Sequence, residues 1–308
     1  MSSTHRDIPG GDMPAPPHFV CWGEVLWDIF PDRRMLGGAP ANVAYHLAAL
    51  GERVSLISRV GDDARGHEAR AALADAGVDA GTVQIDRARP TGWVEVAFPD
   101  PDVGEPRYRL VPDCAWEHIE VDEAAARVLG QAAAFCYGTL SQRASTRWFD
   151  RAIDRLPADC LRVCDVNLRP KHLEFAIVQA ALEAADVVKI NEDEAEDLAK
   201  HAGVADACAW LLSDMGVQVV ALTRGPAGCV LMSGTEIADH PGFPAGVGGD
   251  NVGAGDGFTA VLARMLVADR SLEDIAEAGN RYGAYIAARR GATPVIDDEL
   301  LEWLSTEP

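Results

Sequence analysis

The chain has 308 residues, of which 48% are hydrophobic and 24% are charged, so it is long and apolar enough to bury a full α/β core. Its formal charge of -21 at pH 7 argues against nucleic acid or an anionic membrane as a partner, because such surfaces are bound through neutralising cations. Any phosphate group that the protein binds must therefore be held by local features.

The cysteines and the N-terminal segment indicate a cytoplasmic protein. The seven cysteines are scattered and include no CxxC pair, which is typical of reduced core residues. No apolar run has the length of a membrane span. Residues 1–17 are polar and rich in proline and glycine, without the apolar stretch of a signal peptide, so we expect a mobile tail there and a folded domain over 18–308.

Between residue 19 and about residue 77, short apolar runs alternate with helical periodicity. The pattern predicts strands at 19–22, 25–30 and 54–60, and helices at 41–50 and 65–76. From 81 to about 119 the sequence alternates apolar with polar residues and is interrupted by five prolines. This segment predicts a small β-sheet outside the main domain.

After residue 121 the alternation of strands and helices resumes. Apolar runs predict strands at 132–137, 161–166, 187–190 and 217–222, and the chain ends with predicted helices at 254–268 and 271–289. Strands that alternate with helices form a mostly parallel sheet, because the intervening helix carries the chain back and the next strand then runs in the same direction as the one before it. The sequence therefore predicts an α/β fold, with a central sheet flanked by helices on both faces.

The segment 248–258, which reads GGDNVGAGDGF, stands directly before the first of these last two helices. Small residues let backbone amides approach an anion, and a helix N-terminus adds unpaired N–H groups and a positive dipole end. A carboxylate in such a place is explained if Asp256 accepts a proton from an attacking hydroxyl, while the amides of Gly253, Ala254, Gly255 and Asp256 hold the transferring phosphoryl group. The alternative is that Asp256 is only a favourable helix-start residue.

A second pattern in this segment points to a different cofactor. Residues 255–260 fit the degenerate dinucleotide fingerprint G-x-G-x-x-A, although no predicted strand immediately precedes them. The sequence G-x-x-x-x-G-K-[ST] is absent, which excludes a P-loop enzyme. Phosphoryl transfer would then need magnesium, arginine and helix dipoles.

The segment 250–256 resembles the second signature, D-T-x-G-A-G-D, of the ribokinase-like carbohydrate kinases, also called the PfkB family. The run GGAPANVA at 37–44 resembles the first signature, and the likeness extends over about residues 19–297. Within the family the chain is most similar to fructokinases, through GEVLWD at 23–28, YGTLSQR at 137–143 and DVNLRP at 165–170.

The resemblance implies a ribokinase-like fold and an ATP-dependent sugar kinase, most like a fructokinase. A β-sheet lid would close over the sugar, formed mainly by about 81–119 with a short segment near 28–37. The expected cofactors are ATP and Mg²⁺, and frequently K⁺ in this family. Family members often dimerise through their lids, and the apolar alternation at 93–98 would favour a homodimer here.

The matched positions imply roles for individual residues. Sugar contacts are implied for Asp28, Gly38, Ala39, Asn42 and Asp256, with Arg169 facing substrate or phosphate. Nucleotide contacts are implied for Asn191, Thr223, Arg224, Gly225, Gly228, Gly253, Gly255 and Asn280. For metals, Glu194 would act on Mg²⁺ through water, and Asp250, Val252 and Gly291 would line a K⁺ site, with Asn251 in place of the family's threonine.

Several alternatives stay open at this stage. Asn191 and Glu194 have the spacing of a helix capping box, which is a structural role. The acceptor could be ribose, 2-keto-3-deoxygluconate or a nucleoside instead of fructose. The protein could also be a catalytically silent sugar-binding regulator, or a nicotinamide oxidoreductase that uses the weak fingerprint.

Overall fold

The computed structural model describes residues 15–97, 107–143, 146–168, 174–244, 246 and 248–306. The expected tail at 1–17 lies outside this range except for its last three residues, and Arg169 also lies outside it. The strands are β1 (His18–Trp22), β2 (Leu26–Ile29), β3 (Arg34–Gly37), β4 (Arg53–Gly61), β5 (Val83–Asp86), β6 (Gly92–Ala97), β7 (Arg107–Leu110), β8 (Ala134–Tyr137), β9 (Leu161–Asp165), β10 (Val187–Asn191), β11 (Val219–Thr223), β12 (Cys229–Ser233) and β13 (Ile237–His240).

The helices of the same ranges lie between and after these strands. They are α1 (Ala39–Ala49), α2 (Ala64–Asp75), α3 (Glu123–Leu129), α4 (Arg147–Ile153), α5 (Phe175–Glu183), α6 (Glu192–Ala202), α7 (Ala207–Ser213), α8 (Ala254–Val267), α9 (Leu272–Ala287) and α10 (Asp298–Thr306). None of them is long and apolar enough to cross a membrane.

The large sheet has the strand order β13-β12-β11-β10-β9-β8-β1-β4-β5, which is nine strands among the described residues. The seven strands from β11 to β5 pair in parallel, and β12 and β13 add an antiparallel edge. The chain runs outward from β1 to one side through β4 and β5, and to the other side from β8 onward. The predicted mostly parallel sheet is confirmed.

Side-chain alternation along the strands builds a core on each face of this sheet. In β1, Phe19 and Cys21 belong to one buried cluster, and Val20 and Trp22 belong to the other. The first cluster packs on α1, α2, α8, α9 and α10, and the second packs on α3 to α7. Complete burial of a side chain such as Phe19 contributes about 1.5–3 kcal/mol, so both helical layers are held mainly by apolar contact.

The small sheet is the predicted lid and has the order β3-β2-β6-β7. Its strands come from 26–37 and 92–110, so the expected range of 81–119 is too wide at its start. Val83–Asp86 instead pairs in parallel with β4 and closes the large sheet. The buried Asp86 holds this strand against β4, because its carboxylate pairs with Arg59 on β4. The same carboxylate accepts the amides of Ala88 and Arg89.

The lid presents different chemistry on its two faces. Leu26, Asp28 and Val94 face a cavity above the large sheet, whereas Trp27 and Trp93 are register partners on the other face. Helix α2 covers this other face, because the indole of Trp27 donates to the carbonyl of Arg65 at 3.1 Å and the Arg65 guanidinium lies 4.4 Å from the Trp93 ring centroid. Trp93 is thus partly buried against its own chain, and Phe98, the last residue of that expected alternation, lies outside the described residues.

Candidate active site

A cavity of about 630 Å³ lies between the lid and the carboxyl ends of the parallel strands. This is the edge at which open α/β sheets bind ligands. The lining residues are mostly acidic or amide side chains and small residues, namely Glu24, Leu26, Asp28, Gly38, Ala39, Asn42, Val94, Leu110, Leu140, Asp165, Asn167, Lys189, Asn191, Glu194, Val252, Gly253, Gly255 and Asp256. Carboxylates and amides at this density suit a polyhydroxylated ligand, because its hydroxyls need hydrogen-bond partners once buried.

A second cavity of about 330 Å³ lies on the other side of the α8 N-terminus. Its lining includes Thr223, Gly225, Gly228 and Asn280, together with Asn251, Ala254 and the aromatic Phe243. Lys189, Asn191 and Gly255 line both cavities. The two spaces therefore meet at the first turn of α8.

Asp256 lies in this first turn and faces the larger cavity. Its Oδ2 accepts a hydrogen bond of 2.7 Å from Nδ2 of Asn42, on α1. Burial, followed by the nearby charge of Asp165, raises the pKa of Asp256 to about 7, against the lowering effects of Asn42 and Lys189. A carboxyl group with this pKa is suited to take a proton near neutral pH.

The first turn of α8 also presents backbone N–H groups. Gly253 is the N-cap with φ 79°, and a Cβ there would approach the Cα and carbonyl oxygen of Ala292 to 2.5 Å, so only glycine fits. The amide of Ala254 makes one long bond of 3.5 Å to the carbonyl of Asn251. No protein acceptor within the described ranges bonds the amides of Gly255 and Asp256, as expected at a helix start.

A buried ion pair lies directly below this turn. Nζ of Lys189 is 3.0 Å from Oδ1 and 3.3 Å from Oδ2 of Asp165, and Thr259 on α8 donates to Oδ2 at 2.6 Å. Burial alone would lower the pKa of Lys189, but the carboxylates of Asp165, Glu194 and Asp256 raise it. Lys189 is thus charged. It adds a cation beside the proposed phosphate site, where the sequence predicted only amides, magnesium and arginine.

The expected sugar-binding residues that the structure describes come together in the larger cavity, whereas Arg169 lies outside the described residues. Asp28 reaches it from lid strand β2, and Gly38, Ala39 and Asn42 reach it from the start of α1. A Cβ on Gly37 would lie 2.5 Å from Oδ2 of Asp28, so the carboxylate lies over the glycine pair that precedes α1. One wall of the cavity is thus built by the lid and the other by the large domain.

Asn191 and Glu194 form the capping box of α6. The Asn191 side chain accepts the amide of Glu194, and Oε2 of Glu194 accepts the amide of Asn191, both at 2.9 Å. Oε1 of Glu194 also accepts the amide of Leu168 at 2.8 Å. The structural alternative for this pair is therefore correct, and because each carboxylate oxygen has a further lone pair, Glu194 can also bind water in the cavity that it lines.

The expected nucleotide loop follows β11, and most of its residues line the second cavity. Arg224 is the exception, because its guanidinium donates to the carbonyls of Cys229 and His240 and pairs with Asp239 on β13. It therefore fixes the hairpin that backs the loop. Asn280 lines the cavity from α9, while its Nδ2 donates to the carbonyl of Ala276 at 2.6 Å.

The residues expected around a potassium ion lie in two adjoining loops. The Asp250 carboxylate accepts the amide of Gly291 at 3.1 and 3.0 Å and the amide of Val252 at 3.2 Å. Asn251 has φ 58°, a left-handed conformation that disfavours a β-branched threonine and that asparagine tolerates. Within the described ranges, no cluster of three or more His, Cys, Asp or Glu side chains could hold a metal ion.

Sequence reasoning missed the roles of Glu24, Asp165 and Lys189 in lining the larger cavity. Glu24 and Asp165 were noted only as parts of family-like runs. Lys189 carries a signal that could have been used, because it is the one charged residue in the otherwise apolar start of β10, VVKI. A charged residue in a fully buried parallel strand needs a partner, and its strand position places it near the sheet edge that binds ligands.

The chain belongs to the pfkB family of carbohydrate kinases, because the profile described as pfkB family carbohydrate kinase matches residues 32–299. This family comprises phosphotransferases that act on sugars. The match includes the glycine pair before α1 and the turn that carries Asp256.

Individual relatives cover nearly the whole chain. Fructokinase-1 of Oryza sativa subsp. japonica is 30% identical over 313 residues, which cover 91% of this chain and 95% of the relative. A putative sugar kinase of Pyrococcus horikoshii is 29% identical over 279 residues, with 87% and 86% covered. The fructokinase of Escherichia coli is 30% identical over 293 residues, with 89% and 94% covered.

Solved structures agree with the fold. The Pyrococcus horikoshii sugar kinase in complex with ATP superposes with a TM-score of 0.81 at 26% identity, covering 92% of this chain and 97% of that one. A fructokinase of Xylella fastidiosa with bound ATP superposes with a TM-score of 0.83 over 94% of this chain and 98% of that one. At 23% identity, this second likeness shows the fold alone. The ribokinase-like fold, with its separate lid sheet, is confirmed.

Proposed function

We propose that this protein is a fructokinase that transfers the γ-phosphate of ATP to a primary hydroxyl of fructose, with Asp256 as the general base. The observation that carries the proposal is the meeting of two cavities at the first turn of α8. A phosphoryl group held at that turn would lie between the nucleotide on one side and the sugar hydroxyl on the other. Asp256 faces the sugar side of the same turn.

The reaction is an in-line displacement. Asp256 takes the proton of the sugar hydroxyl, which then attacks the γ-phosphorus while the bond to the bridging oxygen of ADP breaks. The amides of Gly253, Ala254, Gly255 and Asp256 stabilise the negative charge on the migrating group, aided by the positive end of the helix dipole. Arg169 is proposed to add a further positive charge there.

We assign ATP to the second cavity, which lies beside the loop after β11 and the first turn of α8. Thr223, Gly225, Gly228 and Asn280 would bind the nucleotide, and Asn191 at the junction would lie near its phosphates. Arg224 would act on this cavity only by holding the loop. When bound, Mg²⁺ neutralises phosphate charge, and Glu194 would hold it through water, since both carboxylate oxygens already accept backbone amides.

Potassium would bind at the loops of Asp250, Val252 and Gly291, mainly through backbone carbonyls. The Asp250 carboxylate holds these two loops together through the amides of Val252 and Gly291. The left-handed Asn251 changes the loop where the family has threonine. We therefore propose a weaker potassium dependence than the family resemblance alone implies.

On the sugar side, Asp28 and Asn42 would bind hydroxyls, and Gly38 and Ala39 would let the sugar approach the start of α1. The lid would close over the sugar and keep water from the phosphoryl group. We also propose a homodimer through the lid, although the packing of Arg65 of α2 on Trp93 leaves less of the apolar surface at 93–98 for a partner. A cytoplasmic location fits an enzyme that consumes ATP.

Fructose is the proposed acceptor because several of the relatives above are fructokinases and because the lining of the larger cavity is acidic and amide-rich. Ribose, 2-keto-3-deoxygluconate and nucleosides are the alternative acceptors. The acid-rich lining disfavours 2-keto-3-deoxygluconate, since its carboxylate would face Glu24, Asp28 and Asp165.

The test is ADP release in a coupled assay with fructose, ribose, 2-keto-3-deoxygluconate and a nucleoside, each with and without K⁺. We expect the highest kcat/KM with fructose. Equal turnover without any sugar would contradict the kinase proposal, and a preference for another acceptor would contradict only the fructose assignment.

A further inference from the structure

The ion pair of Lys189 and Asp165 lies beneath the reacting centre and has no role in the mechanism above. The two side chains are 7% and 4% exposed, so both charges are almost fully withdrawn from water. Desolvation of two charges is unfavourable, and their mutual attraction offsets it only in good geometry. A buried ion pair of this kind therefore contributes little to the stability of the fold, which indicates another role.

The sheet register explains why both side chains point to α8. Lys189 on β10 and Asp165 on β9 are register partners in adjacent parallel strands. Val187 and Val163, two residues earlier in each strand, belong to the core cluster that packs on α8, and alternation places the charged residues on that same face. Thr259 of α8 then completes the hydrogen bonding of Asp165.

The pair touches the turn that carries Asp256. A Cβ added to Gly255 would lie 2.9 Å from Nζ of Lys189, so the ammonium group lies against the backbone next to the proposed base. Lys189 and Gly255 also line both cavities. The lysine is thus positioned at the place where the phosphoryl group would cross.

The charges around Asp256 come from every neighbouring element of the site. Carboxylates face the larger cavity from the loop after β1 (Glu24), from lid strand β2 (Asp28), from β9 (Asp165) and from α6 (Glu194), and α1 contributes the amide of Asn42. Among the described residues that line this cavity, Lys189 is the only cation. It therefore offsets an acidic surrounding that would otherwise keep Asp256 protonated.

We propose that Lys189 and Asp165 form a positioning pair that sets the charge state of Asp256 and supports the amide-bearing turn of α8. The inference rests on the proposed role of Asp256 as the base. Lys189 favours the ionised carboxylate, and Asp165 holds Lys189 in place while opposing that ionisation. The balance between these two effects keeps the pKa of Asp256 close to neutral pH.

Lys189 and Asp165 shift the pKa of Asp256 in opposite directions, so the direction of the shift in each variant tests the proposal. Asp165 raises the pKa of Asp256 and Lys189 lowers it. Removal of the cation in Lys189→Met should raise that pKa by about one unit, and removal of the anion in Asp165→Asn should lower it by about one unit. A role limited to stability would not move the two variants in opposite directions.

Two readouts follow the same group. The first is the acid limb of the pH profile of kcat/KM for fructose in the wild type and both variants. The second needs no turnover, and is a titration of aspartate Cγ resonances in ¹³C-labelled protein, with the Asp256 signal identified as the one that Asp256→Asn removes. Lys200→Met is the control, because Lys200 is an exposed lysine paired with Glu196 on α6, and it should shift neither readout.

Shifts of opposite sign in the two readouts would support the proposal, and shifts of one sign, or none, in folded variants would overturn it. If either single variant does not fold, the double variant Lys189→Met with Asp165→Asn decides, since a neutral pair should return the Asp256 pKa to within about half a unit of the wild type. A pKa of Asp256 in the double variant that differs from the wild-type value by much more than this would overturn the proposal. If the wild type shows no sugar-dependent ADP release but the resonances shift oppositely, the proposed function fails and the control of Asp256 by this pair stands.

Discussion

Replacement of Asp256 by asparagine should stabilise the fold increasingly as pH rises. Asparagine has the same shape and can still accept the hydrogen bond from Asn42, but it cannot ionise. In the wild type, burial and the charge of Asp165 raise the pKa of Asp256 from 3.8 to about 7 in the folded state. The folded protein therefore keeps a proton that the unfolded chain has already lost between those two pH values.

The sign and size of the effect follow from proton linkage. Because the folded state binds the proton more tightly, the wild type loses stability as pH rises from about 4 to about 7, at about 1.4 kcal/mol per unit. The difference of about three units corresponds to at most about 4 kcal/mol, and relaxation around the carboxylate makes about 2 to 4 kcal/mol the expected range. The asparagine variant has no such loss, so its advantage should appear in full above about pH 8.

The assay is urea denaturation of both proteins at several pH values from about 4.5 to about 8.5. The difference in free energy of unfolding between variant and wild type isolates the ionisation of Asp256 together with its coupling to Asp165 and Lys189. Asp150→Asn, at an exposed position on α4, is the matched control and should show no rise with pH. A difference that stays flat, or that falls with pH, would refute the account of Asp256 as a carboxyl whose pKa is raised in the folded protein.

Two further substitutions test the neighbouring geometry. Asn42→Ala removes the 2.7 Å hydrogen bond that lowers the pKa of Asp256, so the acid limb of kcat/KM should move to higher pH and the KM for sugar should rise about tenfold. Gly228→Ala places a Cβ against the carbonyl of His240 at φ 88°, so stability should fall by about 1–3 kcal/mol and the KM for ATP should rise. Gly234→Ala, where a Cβ meets no atom within 4 Å, should change neither quantity. Unchanged kinetics in Asn42→Ala, or in a folded Gly228→Ala, would show that these residues do not shape the two cavities.

The architecture was predictable because apolar runs and glycine turns report local structure directly. The run at 248–258 indicated a tight turn before α8, and the structure shows the left-handed Gly253 at that point. The proline-interrupted alternation indicated the lid sheet. Its boundary at Val83–Asp86 was not predictable, because membership of a sheet depends on pairing with β4, a partner more than twenty residues away.

The site was predictable only where a local motif carries the function. Asn42 and Asp256 belong to two signatures, and the hydrogen bond between them shows that these signatures meet in space. The pairing of Lys189 with Asp165 depends on the register of β9 with β10, which one sequence does not contain. The orientation of Arg224 toward β13 likewise depends on a hairpin that forms after it in the chain.

The most direct test of the central claim is fructose-dependent ADP release by the wild type and by Asp256→Asn under saturating substrates. We expect clear sugar-dependent turnover in the wild type and a decrease in kcat of about 10²–10⁴-fold in the variant, with an unchanged circular dichroism spectrum. Turnover in the variant close to that of the wild type would contradict the claim that Asp256 removes the proton from the acceptor hydroxyl.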